Sequence, residues 1–355
     1  MTKLKITILL SLFFILANIR AQQFPVYTQY LFNDYLMNPA VAGTIDQTPI
    51  KLSYRNQWIG FTDMQGNSVA PKTVAFSAHT PLSDQMGVGG YVYNDVTGPI
   101  SHSVAQFSYS WRTTLSPPEC FWERKKFMSL AYGTRLLQFS YDDTQTTSWT
   151  EYFGNPNGAD PILPNVVETD FLVSHSVGAY FYTEYVYAGF AAQNLYARPL
   201  KILARLDKGY ENMLTPEYNC MAAAYIPVSA DKSLAIEPSF LTKTTSWSET
   251  QIDLGFRFIY LNSIYAGMVY RSAETATGFL LGFETGDMFF GYSYDTAVEG
   301  INGYSSGTHE LAIGVNLGIL SNFKNVRLKS RFKNRRMLLN PFRKKEAENR
   351  RGSGA

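Results

Sequence analysis

Short segments in which apolar side chains alternate with polar or small ones recur along the chain after its first twenty-one residues. One such segment runs from 251 to 260 and another from 310 to 319. Successive side chains of a β-strand point to opposite faces, so a period of two gives each strand two different environments. Leu, Ile and Phe on one face, with Arg, Asp, Asn and Gly on the other, indicate lipid outside and a polar lumen inside. The alternation therefore predicts an all-β fold, a transmembrane antiparallel β-barrel.

Fourteen candidate strands of this kind lie between residues 50 and 321, which is the predicted barrel. A composition of 45% hydrophobic and 15% aromatic residues, including 24 Tyr and 24 Phe, can supply the lipid-facing wall and the aromatic girdles of such a barrel. The alternative is a soluble β-sandwich with one face of each sheet in a core. A sandwich with this many strands would usually show stronger apolar runs, so we favour the barrel.

The first residues are typical of a secretory signal peptide. Lys3 and Lys5 precede an apolar run from 6 to 17, and the small residue Ala21 precedes Gln22. We expect residues 1–21 to be removed on export. No later stretch has the roughly 18 consecutive apolar residues that a spanning helix needs, so the strands must do the spanning. The predicted location is the cell outer membrane.

The strand count also predicts an orientation. An even number of strands puts both ends of the barrel on one side, and in bacterial barrels this is the periplasmic side, where turns are short. The long connections 142–169 and 197–215 fall on the opposite side and are expected outside the cell. Both termini are therefore expected in the periplasm. Residues 22–49 precede the first strand and should form a short helix or plug or, alternatively, a periplasmic lid that packs on the rim.

The two cysteines fall at different heights of this predicted barrel. Cys120 lies in an inward turn, and Cys220 lies near the outer start of a strand. A wall roughly 25 Å tall would separate them, whereas a disulfide needs Cα atoms within about 7 Å of each other. Both thiols are therefore predicted to be free.

The end of the chain differs from the rest in charge. Residues 322–355 contain twelve Lys or Arg and two Glu, whereas residues 22–321 contain sixteen basic and twenty-seven acidic residues. A periplasmic tail of this charge would meet lipid head groups, peptidoglycan or acidic proteins rather than nucleic acid. A solvated, disordered extension is the alternative, and residues 351–355 resemble a remnant of cloning. The candidate partner-binding residues of the tail are Arg335, Arg336, Arg343, Lys344 and Lys345.

Six short stretches between residues 22 and 320 form a pattern. They are Gln22 to Tyr30 (QQFPVYTQY), Asn38 to Gly43 (NPAVAG), Arg55 to Trp58 (RNQW), Asn94 to Pro99 (NDVTGP), and the pair Tyr292 to Asp295 (YSYD) and Ser306 to Glu310 (SGTHE). Together they resemble the PorP/SprF family of type IX secretion outer-membrane proteins. Val41 stands where the family's pattern usually has an aromatic residue, and the basic tail has no counterpart in these motifs. The motif residues singled out are Gln29, Tyr30, Asn38, Pro39, Gly43, Arg55, Gln57, Trp58, Tyr292, Tyr294, Asp295, Gly307, His309 and Glu310.

This resemblance implies an interaction protein. Family members contact periplasmic ring lipoproteins on one side and help to export or anchor a secreted surface protein, often an adhesin used in gliding, on the other. The outer loops would then hold the C-terminal domain of the adhesin, while the N-terminal segment and the tail would face the lipoproteins. The alternative function is a diffusion channel for small or apolar solutes, because fourteen strands enclose more lumen than eight.

Charged residues of the strands share the phase that faces the lumen. Arg55, Asp253 and Arg257 are the clearest examples. Unpaired charge in such a place would be costly unless water or an opposite charge is near. We expect structural salt bridges here rather than a transport filter.

The sequence offers no catalytic or cofactor site. The four histidines are His79, His102, His175 and His309, and none lies in a nucleophile motif. Although His175 stands between two serines, strand neighbours point to opposite faces, so this adjacency argues against a Ser-His pair. No His or Cys spacing matches a closed metal site, and the Asp-rich loop from 142 to 160 lacks a recognised calcium-ligand spacing. We expect a protein that is not an enzyme and holds no metal.

Overall fold

The alternating segments form the wall of a closed antiparallel β-barrel in the computed structural model. The structure describes residues 25–45, 47–63, 66–115, 126–142, 166–183, 185–202, 214–229, 231, 233–245, 250–296 and 303–318. The strands are β1 (Thr48–Asn56), β2 (Lys72–Pro81), β3 (Met86–Thr97), β4 (Ile100–Thr114), β5 (Phe127–Asp142), β6 (Val167–Tyr182), β7 (Val186–Leu195), β8 (Glu217–Ala224), β9 (Ile226–Pro227), β10 (Leu234–Thr244), β11 (Thr250–Tyr260), β12 (Ile264–Arg271), β13 (Ala276–Thr285), β14 (Met288–Asp295) and β15 (Thr308–Leu317).

The barrel closes where its last strand meets its first. β15 pairs with β1 along the whole of β1, with Arg55 opposite Glu310 and Thr48 opposite Leu317. Each other strand pairs with its neighbours in chain order, β8 and β9 together acting as one strand beside β10. Among the described strands, closure leaves no unpaired sheet edge, which is the condition for crossing lipid with strands. The predicted transmembrane barrel of about fourteen strands is confirmed.

The break between β8 and β9 has a local cause. Ala223 pairs with Ser239 and Ile226 pairs with Ile236, so Pro238 lies within the interrupted part of the ladder. Proline has no backbone N–H to donate, so it weakens the ladder at this point.

The two faces of the wall differ as the alternation predicts. On β11, Leu254 is 53% exposed on the outer face while Asp253 is 1% exposed on the inner face. On β15, Leu311 is 55% exposed and Glu310 is 1% exposed. The outer face is therefore an apolar band suited to lipid, and the inner face carries the charged and amide side chains.

The barrel has two distinct ends. We call the end at which β1 begins and β15 ends the near end, and the opposite one the far end. Connections at the far end are mostly long, at 57–71, 143–166, 196–216 and 296–307, while near-end connections are mostly short, at 82–85, 183–185, 261–263 and 286–287. The connection 115–126 at the near end and the turn 98–99 at the far end are the clearest exceptions.

Residues 25–44, which we call the lumen segment, lie inside the barrel. They form three short 3-10 helices, Thr28–Leu31, Asp34–Leu36 and Pro39–Val41, and nearly all of their side chains are buried. Hydrogen bonds join them to inward residues on both sides of the lumen, from Ser108 of β4 to Asp295 of β14. Among the described residues, no helix is long and apolar enough to span a membrane.

Some predicted features lie outside the described residues. These are the signal peptide at 1–21, the basic tail at 322–355 with its candidate partner-binding residues, Cys120, and most of the long connection 142–169. Cys220 is described: it carries a free thiol and is exposed on the outer face of β8.

Candidate functional site

A cluster of buried charges lies inside the barrel at its far end. Arg55 on β1 contacts Asp295 on β14, with Nη2 2.7 Å from Oδ2, and Glu310 on β15, with Nη1 3.1 Å from Oε2. All three side chains are 2% exposed. In the register of the wall, Arg55 stands directly opposite Glu310, so strand pairing itself brings the two charges together.

Arg271 at the end of β12 extends this cluster. Its guanidinium lies 2.8 Å from Glu274 Oε2, 3.4 Å from Asp295 Oδ2 and 3.7 Å from Asp253 Oδ2. Gln57 joins the same group by donating from Nε2 to Glu274 Oε1 at 3.2 Å. Removing one partner from such a buried group leaves an uncompensated charge, which typically costs about 3–5 kcal/mol.

The cluster holds the lumen segment at Thr28. The Thr28 hydroxyl donates to Asp295, 2.7 Å from Oδ2, and accepts from Arg55 Nη1 at 2.8 Å and from Arg271 Nη2 at 2.9 Å. The Thr28 backbone N–H donates to Glu310 Oε2 at 2.9 Å. Four strands of the wall are thus tied to one residue of the segment, and the lumen charges are paired structurally, as the sequence predicts.

The motif residues of the lumen segment each contact the wall. Gln29 Nε2 donates to the Glu310 carbonyl at 2.8 Å, and Tyr30 shares a hydrogen bond of 3.0 Å with Ser239. Asn38 Nδ2 donates to the Ala179 carbonyl at 3.0 Å. Its Oδ1 also accepts from the N–H of Ala40, which caps the short helix that begins at Pro39.

Tyr35, which is not one of the motif residues, makes a similar contact on the opposite side of the lumen. It shares a hydrogen bond of 2.5 Å with Ser108 of β4.

Glycines of the wall make room for the segment. A Cβ on Gly178 of β6 would lie 2.3 Å from Asn38 Oδ1, and one on Gly291 of β14 would lie 2.3 Å from Gln29 Oε1. Gly43 has a φ of +70°, and a Cβ there would lie 2.6 Å from the Cα of Gly87. The glycines at these positions therefore allow backbone and amide groups of the segment to approach the wall closely.

The remaining motif residues form a second, outward group at the far end. Tyr292 shares a hydrogen bond of 2.8 Å with His309 Nδ1 on the outer face. The Tyr294 ring packs edge-on against His309, at 5.1 Å between centroids, and its hydroxyl donates to the Ser306 carbonyl. Gly307 has a φ of +95° and shapes the end of this hairpin. Trp58 has a φ of +51° just beyond β1, and its backbone N–H donates to Thr308 Oγ1.

The near end of the lumen contains an open cavity of about 180 Å³ beside the segment. Arg257 projects into it, pairs with Glu237 at 2.9 Å and donates to the Leu31 carbonyl at 2.9 Å. Lys51 donates to the Phe32 carbonyl. The charges of this cavity therefore bind backbone of the lumen segment as well as each other.

At the far rim, a described part of the β7 to β8 connection is fixed to the wall. Asp170 of β6 accepts from both Nη atoms of Arg198, at 2.9 and 2.5 Å, and from the Lys201 N–H at 2.8 Å. The Arg198 side chain is 41% exposed, so this pair adds little to stability but sets the path of the loop.

The histidines occupy structural positions. His79 accepts from the Gly43 N–H at 3.3 Å beside the Tyr35 ring, and His102 stacks on Phe139. His175 is held by the Tyr132 hydroxyl at 2.7 Å on the outer face. Within the described ranges, no three His, Cys, Asp or Glu side chains are grouped to hold a metal ion.

Sequence reasoning did not single out Thr28, Arg271 or Glu274 of this site. Arg271 shares the inward phase of Tyr265 and Val269 on β12, so the period-two pattern could have placed it in the lumen. Thr28 carries no comparable pattern, because the lumen segment is irregular and its partners lie as far as 282 residues away in the chain.

Comparison with known proteins agrees with the sequence motifs. The model of the family described as type IX secretion system membrane protein PorP/SprF matches residues 19–315. No protein of curated function matches the chain significantly.

Several solved structures are similar to the chain at low sequence identity and low TM-score. The toluene transporter TbuX of Ralstonia pickettii is 10% identical, with 80% of this chain and 92% of that one covered and a TM-score of 0.44. A FadL homologue of Pseudomonas aeruginosa is 12% identical, with coverages of 83% and 95% and a TM-score of 0.40. The outer membrane protein Omp33 of Acinetobacter baumannii is 7% identical, with coverages of 78% and 100% and a TM-score of 0.37.

Proposed function

Because the chain belongs to the PorP/SprF family of type IX secretion system membrane proteins, we propose that it works in the outer membrane by docking partner proteins at the two ends of its barrel. In this proposal the near end faces the periplasm and meets ring lipoproteins. The far end faces the cell exterior, where its long loops hold the C-terminal domain of a secreted surface adhesin during export or anchoring. The protein itself catalyses no reaction.

The occupied lumen is the observation that carries this proposal. Thr28 is bonded to Arg55, Arg271, Asp295 and Glu310 on one side of the barrel, and Tyr35 and Asn38 are bonded to β4 and β6 on the other. A segment tied to both sides of a lumen obstructs diffusion through it. A barrel built in this way is better suited to binding partners at its ends than to passing solutes.

In the proposal, the charge of the basic tail determines which periplasmic partners it binds. β15 ends at the near end with Leu317, and the tail from 322 to 355 follows it in the sequence. In the proposal, the basic residues of this tail bind acidic surfaces of periplasmic partners. Such contacts between exposed charges weaken as salt rises, since the Debye length falls from about 10 Å at 0.1 M to about 3 Å at 1 M.

Affinity purification in mild detergent tests the proposal. We expect the full chain to recover a large surface protein together with ring lipoproteins. A variant truncated after Phe323 should still fold into a heat-modifiable barrel and recover the surface protein, but it should lose the lipoproteins, and the full chain should lose them at high salt.

Planar-bilayer recording of the purified full chain supplies the opposing outcome. We expect little or no steady current. Robust single-channel currents, with neither class of partner recovered, would replace the docking proposal with a diffusion channel.

A further inference from the structure

The direction in which the lumen segment runs can be read from the wall residues that it touches. At its beginning, the Pro25 carbonyl accepts from Lys243 Nζ at 3.2 Å, and Lys243 is one residue from the far end of β10. Thr28 contacts Arg55, Asp295 and Arg271, which stand at or next to the far ends of their strands. The segment therefore begins in the far-end layer of the lumen.

The segment finishes in the opposite layer. The Ala42 carbonyl accepts from Ser110 Oγ at 2.7 Å, and the Gly43 carbonyl accepts from Arg112 Nη1 at 2.9 Å. Both partners lie in the last part of β4, which ends at the near end. Gly43 also packs against Pro81, the near-end residue of β2. From there the chain turns and enters β1 at Thr48.

The chain thus crosses the lumen from far end to near end before it builds the wall. The expected cleavage after Ala21 leaves three residues before Pro25. Three extended residues span at most about 10 Å, whereas the wall of such a barrel is roughly 25 Å tall. A stretch of that length is too short to reach from Pro25 in the far-end layer to the near end.

We propose that the mature amino terminus lies at the far end of the barrel, on the side of the long connections, and not at the near end where β1 begins. This replaces the expectation, drawn from the even strand count, that both termini share the periplasmic side. The even count governs only the ends of the wall, at Thr48 and Leu317. The even count does not apply to the lumen segment, which precedes β1 and lies inside the wall. The placement of the amino terminus at the far end rests on the contacts of the lumen segment. The assignment of the far end to the cell exterior rests on the proposed function.

Single-cysteine labelling of cells tests the proposal. In a background with Cys120→Ser and Cys220→Ala, three thiols are compared with a membrane-impermeant maleimide, before and after the outer membrane is permeabilised. Gln23→Cys is the test. Gly303→Cys marks the far end, where a Cβ meets no atom within 4 Å, and Asp84→Cys marks an exposed near-end turn.

We expect the Gln23→Cys protein to label in intact cells, as Gly303→Cys does, while Asp84→Cys labels only after permeabilisation. Labelling of Gln23→Cys in step with Asp84→Cys would overturn the proposal, and so would its failure to label in either state. If Gly303→Cys labels only after permeabilisation and Asp84→Cys labels in intact cells, the far end does not face the cell exterior and the proposed orientation of the barrel is wrong. The placement of the amino terminus is then still decided by which marker Gln23→Cys follows. Heat-modifiability on gels verifies that each variant has assembled.

Discussion

Replacing Thr28 with Val should release the lumen segment from the far-end charge cluster without removing any charge. Val has nearly the shape of Thr but lacks the hydroxyl, which contacts Asp295 at 2.7 Å, Arg55 at 2.8 Å and Arg271 at 2.9 Å. A hydrogen bond to a charged group contributes about 1.5–3 kcal/mol to stability. The three charged groups keep one another as partners, so we take about 3 kcal/mol for the whole loss rather than the sum of three bonds. Local opening of the segment should then become on the order of 100-fold more frequent.

Hydrogen exchange followed by mass spectrometry on the detergent-purified protein measures this opening directly. Amide protons within the segment, such as those of Phe32 and Met37, are bonded to carbonyls of the segment itself and should exchange on the order of 100-fold faster in Thr28→Val. Wall peptides should be unchanged. Thr28→Ser is the matched control, since it keeps the hydroxyl and should exchange like the wild type. Equal protection of the segment in Thr28→Val and wild type would show that the hydroxyl does not anchor it.

Two further substitutions test the packing and the charges of the lumen. In Gly178→Val, the new Cβ would lie only 2.3 Å from Asn38 Oδ1. The lumen segment must therefore shift, at a cost of about 1–3 kcal/mol. Single-channel current in planar bilayers should rise, whereas Gly303→Ala, which meets open space, should behave as wild type; an unchanged current in Gly178→Val would contradict the packing. Arg271→Met leaves the carboxylates of Asp253, Glu274 and Asp295 short of a partner and should lower the unfolding free energy in urea by about 3–5 kcal/mol. Arg198→Met, which removes a half-exposed ion pair, should cost about 0–1 kcal/mol, and similar losses in the two variants would refute the special role of the buried cluster.

Most of the wall could be predicted from the sequence because its information is local. A strand in lipid must present apolar side chains outward at every second position. The outward orientation of residues such as Leu254 and Leu311 can therefore be predicted from the local sequence. The same phase predicts that Arg55, Asp253 and Arg257 face inward and must be paired. The structure confirms the pairing and identifies the partners, which the sequence had left open: Arg55 binds Asp295 and Glu310, while Asp253 faces Arg271.

The site could be predicted only in part. The motif residues Arg55, Asp295 and Glu310 do meet at one place, but the sequence gives no reason why Thr28 should be the residue that joins them. Likewise, Gly178 and Gly291 read as ordinary strand glycines until the side chains of Asn38 and Gln29 are found against them.

What the sequence determined by itself is the wall: its strands, its two faces and the order in which neighbours pair, all of which follow from a period of two and from short connections. Only the tertiary structure decided what fills the lumen and in which direction the lumen segment runs. The contacts of Thr28, Tyr35 and Asn38 join residues between 73 and 282 positions apart and lie in an irregular segment without a repeat. Such contacts exist only once the barrel has closed around the segment, so no local pattern encodes them.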